Sequence, residues 1–304
     1  MMNSIDQVVL RSRGAHGDER PAQTERKMSN SPEISATEQY LASCEWLLAS
    51  VRRQKAAIEQ AADWFAESIH QGRVVHLFGA GHSRILVEEM WPRYGSFPGF
   101  HPIVELSLTF HNQVVGANGQ RQAMFLENCP GLAERILRNF ALDARDCALL
   151  ISSSGVSVVT VEMAELFRRA GIRVVALVSV AHSRTMASRH PRGLKLPDVA
   201  DLVLDTGAPP GDAVVRLAGV ETPIAPVSTV GGALVVNAIK AEVASRLASR
   251  GALPPVLAAA NVVGPDRSRR LFEEAYDEHG RRLGALLAGA GASHSGRAQS
   301  ELPS

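Results

Sequence analysis

The sequence predicts a three-layer α/β/α sandwich, a doubly wound fold with a central parallel sheet and helices on both faces. Two observations carry this. Short β-branched or aliphatic runs, RVVHLF at 73–78, CALLI at 147–151 and IRVVALV at 172–178, alternate with stretches of helical period. Each run leads through a glycine- or serine-rich turn straight into a helix-like stretch, the sequence form of a strand–loop–helix unit.

From Thr37 to His70, apolar residues return to one helical face at Leu41, Cys44, Leu47, Leu48, Val51, Ile58, Phe65 and Ile69, which predicts one long helix or two in series. Gln71-Gly72 stops it, because glycine takes the left-handed conformation past a helix end. The first strand follows at 73–78, then Gly79-Ala80-Gly81-His82-Ser83, then a helix over 84–90 closed near Pro92. Residues 102–108 read as strand-like. CALLI is followed by Ser152-Ser153-Ser154-Gly155-Val156-Ser157 and a helix to Ala170, with Gly171 as its stop. IRVVALV leads into Ser179-Val180-Ala181-His182-Ser183, and ADLVLD at 200–205 is a further strand. Ser228-Thr229 opens a long Ala-, Val- and Leu-rich helix to about Arg250, which suits packing across a subunit interface.

Composition sets the outer limits. The chain has 304 residues, 45% hydrophobic and 21% charged, a balance that supports a folded core. Its 32 Lys and Arg against 31 Asp and Glu exclude a large basic field for nucleic acid. No apolar run reaches the ~20 residues of a membrane-spanning helix. The first 30 residues hold only a brief VVL where a leader needs a longer apolar core, so a cytoplasmic location is expected. Cys44, Cys129 and Cys147, widely spaced and odd in number, read as reduced thiols, at least two of them buried. Residues 1–34 carry five charges of each sign without apolar period and are expected to be a disordered tail, with Met28 as an alternative start. Residues 281–304, rich in Gly, Ala and Ser, are expected to be a flexible tail. One domain over 35–280 remains.

In an open parallel sheet, ligands bind beyond the carboxyl ends of the strands, where helix N-termini offer unpaired N–H groups. Both distinctive loops fall there. GAGHS offers two glycines for close backbone approach and Ser83 at the helix start. A dinucleotide fingerprint would require glycine where Arg84 stands, which weighs against a nicotinamide enzyme. The second loop places four serines and a glycine within six residues after a buried strand, a nest suited to a phosphate dianion without the lysine of a P-loop.

Ser152-x-Ser154-Gly155-x-Ser157 resembles the phosphate-cradling loop of the SIS (sugar isomerase) domain, and Gly79-x-Gly81-x-Ser83 resembles its first-strand loop. Ser228-Thr229 matches a third landmark, and the resemblance covers roughly residues 37–250. Within that family, FGAGHSR, VAHSR at 180–184 and DTGAPPGD at 205–212 resemble a stand-alone bacterial subgroup. The resemblance implies that Ser83, Ser152, Ser154 and Ser157 contact a sugar phosphate, with Ser153 contributing its backbone; Gly81, His82, Arg84 and Ser228, in the first loop and at the helix start, are further candidate substrate contacts. It implies a phosphosugar-binding protein, a sugar-phosphate or amino-sugar-phosphate isomerase acting by proton transfer, or alternatively a non-catalytic sensor.

Aldose–ketose isomerisation needs a base, usually a carboxylate, and a second group to move the hydroxyl proton. Glu88 and Glu89 follow Ser83 by five and six residues and point about 100° apart on a helix, so one of them can reach the pocket mouth. Glu89 is preferred, with Glu88 read as an ion-paired surface group. Glu221, in the Pro-containing segment before Ser228, is the other candidate base. His76 reads as a hydrogen-bonded core residue, whereas His82, His182 and His111 follow strands and are placed to reach sugar hydroxyls; His111 is the candidate second catalytic group. No histidine pair has helix ligand spacing, so neither a metal nor a cofactor is expected. The apolar surface of the helices at 37–70 and 228–250 predicts a homodimer or higher homo-oligomer. No helix-turn-helix precedes residue 37, which weighs against a DNA-binding sensor.

Overall fold

The computed structural model describes residues 34–109 and 119–288. Helix α1 (Ala36–Arg53) begins at Ser35, whose side chain accepts the Glu38 N–H at 3.2 Å, and α2 (Lys55–His70) follows at once. The helical period over 37–70 is therefore two helices in series. Strand β1 (Val75–Gly79) runs through a single 3₁₀ turn at Gly81–Ser83 into α3 (Arg84–Met90). Strand β2 (Phe100–Pro102) is short, and α4 (Leu106–Thr109) takes the end of the stretch expected to continue as strand. The reason is local: Glu105 accepts the Ser107 hydroxyl at 2.8 Å and, through its carbonyl, the Leu108 N–H at 2.9 Å, which nucleates a turn.

Helices α5 (Gly119–Leu126) and α6 (Leu132–Leu137) lead to β3 (Cys147–Ile151), then α7 (Val158–Arg169), β4 (Arg173–Val178), α8 (Val180–Thr185), α9 (Leu196–Val199) and β5 (Leu202–Asp205). The five strands are all parallel in the order β2-β1-β3-β4-β5. The order of strand addition reverses between β1 and β3, so the crevice at this switch point lies between the two loops singled out from the sequence.

Alternation along the strands divides the core into two layers. Val75, Leu77, Leu149, Ile151, Val175 and Leu177 face α2 and the long α10 (Ser228–Ser249). Phe78, Ala148, Leu150, Val174 and Ala176 face the opposite way, toward α6 and α7. Strands apolar on both faces are thus explained by helices on both sides. The interior face of α10 carries Val235, Val236, Ile239, Val243 and Leu247, which α2 and α3 cover within the chain. Its apolar character is therefore largely accounted for without a second subunit.

Three further findings differ from the sequence reading. A two-stranded antiparallel hairpin, β6 (Ala213–Val215) and β7 (Ile224–Pro226), interrupts the segment before α10. After α11 (Ala260–Val263), α12 runs from Pro265 to Ala288, so 281–288 is helix and not flexible tail. Arg282 and Leu286, one turn apart, anchor it: the buried guanidinium donates to the carbonyl of Ile69 at 3.1 Å, and the Leu286 carbonyl accepts the Ala141 N–H at 2.6 Å. Of the three thiols only Cys147 is buried, its pKa pushed up to about 12 by burial, while Cys44 and Cys129 are half-buried. The expected N-terminal tail lies outside the described residues except for Ile34, as does the C-terminal tail beyond Ala288.

Candidate functional site

A cavity of about 420 Å³ opens at the carboxyl ends of β1, β3 and β4, within the ~300–1,000 Å³ of ordinary small-molecule sites. His82, Ser83, Ser152, Ser153, Ser154, Ser157 and Ser228 line it together, although they come from segments up to 146 residues apart. The reversal of strand order at the switch point brings them into one place.

The first loop is tight because Gly79 has no side chain: a Cβ there would stand 2.8 Å from the Ser83 carbonyl carbon and oxygen. Ser83 makes no side-chain cap on α3. The second loop turns at Gly155, with φ +65°, and Ser152 Oγ accepts the Gly155 N–H at 3.1 Å. That contact uses an oxygen lone pair and leaves the Ser152 proton for another acceptor. Ser157 sits at the start of α7 but does not cap it; its hydroxyl meets that of Thr160 at 2.9 Å. The loop and the positive end of a twelve-residue helix thus face the cavity together.

Other residues predicted from the sequence fall elsewhere. Gly81 supports the 3₁₀ turn with φ +55° without lining the cavity. Arg84 lies just beyond it and pairs with Glu88 at 3.1 Å, which accounts for Glu88 as a surface ion pair. Glu89 is not brought to the cavity: its carboxylate accepts Asn237 Nδ2 at 2.9 Å, and it pairs with Arg93 on the far side of α3. Burial pushes the Glu89 carboxyl up, but these two partners outweigh it and hold it below the usual range, a poor setting for a base. Glu221 is exposed in the loop of the β6–β7 hairpin, which Gln39 and Tyr40 of α1 hold through Arg216 and Pro226. It does not line the cavity either. His111 lies outside the described residues. His76 is the buried core residue expected, 3.0 Å from His101 and 3.3 Å from Asp146.

Three residues to which sequence reasoning gave no role line the cavity. Glu127 follows α5, and its carbonyl accepts the Val159 N–H at 3.0 Å, which docks it at the start of α7. Burial pushes its carboxyl up, partly offset by Arg189 at 3.9 Å. Asp212, with φ +69°, accepts the Ser228 N–H and hydroxyl at 2.7 Å each, and the Val227 N–H at 3.1 Å. Thr206 closes the wall beneath α10. His182, weighed in the sequence without a fixed role, accepts the Gly211 N–H on Nδ1 at 3.3 Å, so its proton is on Nε2. Among the described residues, no group of His, Cys, Asp and Glu is arranged to hold a metal ion.

The SIS-domain profile matches residues 39–179, which contain both loops. The chain is 34% identical to the UPF0309 protein lin2794 of Listeria innocua over 230 residues, 76% of this chain and 91% of that protein. It belongs to the UPF0309 family of SIS-domain proteins. A Brucella abortus UPF0309 protein is 35% identical over 231 residues, 76% of this chain and 91% of that one. Two solved structures have a distant likeness. A phosphoheptose isomerase from Francisella tularensis has a TM-score of 0.43 and 14% identity, over 68% of this chain and 95% of that one. The sugar isomerase domain of an RpiR transcription factor from Sphaerobacter thermophilus has a TM-score of 0.42 and 17% identity, over 81% of this chain and 99% of that one. Among the described residues of this SIS-domain chain, no helix is long and apolar enough to cross a membrane.

Proposed function

We propose that this chain binds a phosphorylated sugar in the cavity and isomerises it by proton transfer, acting in the cytoplasm without a cofactor. The observation that supports this best is the convergence of Ser83, Ser152, Ser154 and Ser157 on one cavity that also presents a carboxylate, Glu127. The phosphate docks at the serine loop, held by hydroxyl protons and the N-terminus of α7. Glu127 takes the proton from the carbon next to the carbonyl, and the electron pair of that C–H bond forms the double bond of an ene-diol as the carbonyl oxygen takes up a proton; the carboxyl proton exchanges with solvent, and Glu127 then delivers a proton to the former carbonyl carbon as the neighbouring hydroxyl gives up its own. His182, through Nε2–H, serves the oxygen at which charge develops.

Burial raises Glu127 toward neutral pH, where a general base works best, whereas Glu89 is held the other way. Glu127 therefore replaces Glu89 and Glu221 as the preferred base. A thermal-shift screen of sugar phosphates, followed by NMR of each hit in deuterated water, tests both halves. Stabilisation together with deuterium entering at carbon is the expected result. Stabilisation without carbon exchange would make the protein a phosphosugar sensor, and no stabilisation by any sugar phosphate would overturn the reading.

A further inference from the structure

The cavity walls differ in hydrogen-bonding sense. The serine loop offers protons. The wall built by Asp212 and Ser228 offers none: Ser228 donates its only hydroxyl proton to Asp212 Oδ2 at 2.7 Å and its N–H to Oδ1 at 2.7 Å. What these two residues present to the cavity is acceptors, the carboxylate and the lone pairs of Ser228 Oγ, with the hydroxyls of Thr206 and Thr229 lining it beside them. Asp212 is fixed in place by three donors and by a left-handed backbone that aspartate tolerates better than most residues. Glu127 adds a second carboxylate. Among the described residues lining the cavity there is no lysine or arginine, so a bound phosphate meets the Asp212 carboxylate with no cation on the cavity wall, while Glu127 is partly offset by Arg189 at 3.9 Å.

We propose that the sugar phosphate taken by this cavity carries an unacylated amine, held as an ammonium against Asp212 and Ser228. The inference rests on the phosphosugar reading above. An ammonium brings up to three donors and a positive charge to a wall of acceptors, and it balances the charge of the phosphate end. A hydroxyl in its place brings one donor and no charge. An acetamido group brings one donor and sets a carbonyl oxygen against the acceptor wall, leaving lone pairs facing lone pairs.

The test is calorimetric titration of the full chain at neutral pH with the 6-phosphates of glucosamine, glucose and N-acetylglucosamine, the matching mannose series, and inorganic phosphate. In whichever series binds, the amine should bind about fivefold or more tighter than the hydroxyl, the difference between a charged and a neutral hydrogen bond. The acetamido compound should bind weakest. Asp212→Asn keeps the size and the backbone preference and should erase the advantage of the amine without weakening the binding of inorganic phosphate. Should that variant fail to fold, Glu127→Gln supplies the second comparison and should narrow the same advantage. Equal affinity for amine and hydroxyl, or tighter binding of the acetamido form, overturns the amine assignment and leaves the phosphate site standing. Failure of every sugar phosphate and of phosphate to bind overturns the phosphosugar reading, and the amine assignment with it.

Discussion

Glu127, which lines the cavity, stands 3.9 Å from Arg189, close enough for their charges to interact and too far for a hydrogen bond. The guanidinium lowers the carboxyl pKa less than burial raises it, so the net direction is upward. Glu127→Gln keeps the shape of the side chain and removes its basicity. Carbon-proton exchange on the identified substrate should fall ~10²–10⁴-fold in a protein that still binds sugar phosphates. Full exchange activity in this variant would remove Glu127 from the mechanism.

Ser154 lines the cavity between Ser152, which is tied to Gly155, and Ser157, which is tied to Thr160. Ser154→Ala should cost a charge-assisted hydrogen bond, ~1.5–3 kcal/mol of affinity for a sugar phosphate. Calorimetric titration against wild type measures it, and unchanged affinity would place the phosphate elsewhere.

Gly231, in the first turn of α10, lies so close to the cavity floor that a Cβ would stand 2.0 Å from the Thr206 carbonyl oxygen. The obstacle is backbone, so Gly231→Ala must move the helix or the strand end. A loss of ~1–3 kcal/mol of stability is expected, together with weaker ligand binding because Thr206 lines the cavity. Urea denaturation checks the first part, and a melting curve equal to wild type contradicts it.

His101 is buried beside His76 and Asp146, at the other end of β1 from the cavity. Burial, then the neighbouring His76 and His279, pull its pKa from 6.5 to about 3, with Asp146 opposing. In this range the unfolded chain binds a proton that the folded chain does not, so stability rises with pH. Stability should therefore fall as pH drops from about 6.5 toward 3, by at most ~1.4 kcal/mol per unit for this one proton. Denaturation at pH 7, 6 and 5 should show the slope, and His101→Asn should flatten it; an equal slope in both proteins would exclude His101 as its source.

Self-association is expected as well, because α1 leaves Leu41, Trp46 and Leu48 exposed. Light scattering should report a dimer or larger species at micromolar concentration. A monomer there would count against it.

The strands and the serine loop were legible in the sequence because their determinants are local. CALLI at 147–151 is a strand at its predicted bounds, and Ser152–Ser157 is a loop whose members sit within six residues of one another. Glycine stops and β-branched runs act over a few residues, so periodicity alone finds them. The stretch at 281–288 misled for the opposite reason. It reads as one tail with the Gly-, Ala- and Ser-rich residues 289–304 that follow it, and only the carbonyls of Ile69 and Arg73, some 210 residues away in the chain, show why Arg282 holds it as helix.

The carboxylates were decided by tertiary structure in the same way. Glu89 stands in the expected helix at a plausible distance from Ser83, yet Asn237, 148 residues later on α10, takes its oxygen and turns it away from the cavity. Glu127 carries no motif and reaches the cavity because the Val159 N–H fixes its backbone at the start of α7. Asp212 becomes part of the wall only through a left-handed turn and the first N–H groups of α10. The sequence by itself determined the sheet, its loops and the serine-lined end of the cavity, since those follow from neighbours along the chain. Which acids face the ligand depends on contacts between distant segments, and burial and hydrogen bonding across those contacts set both their direction and their basicity.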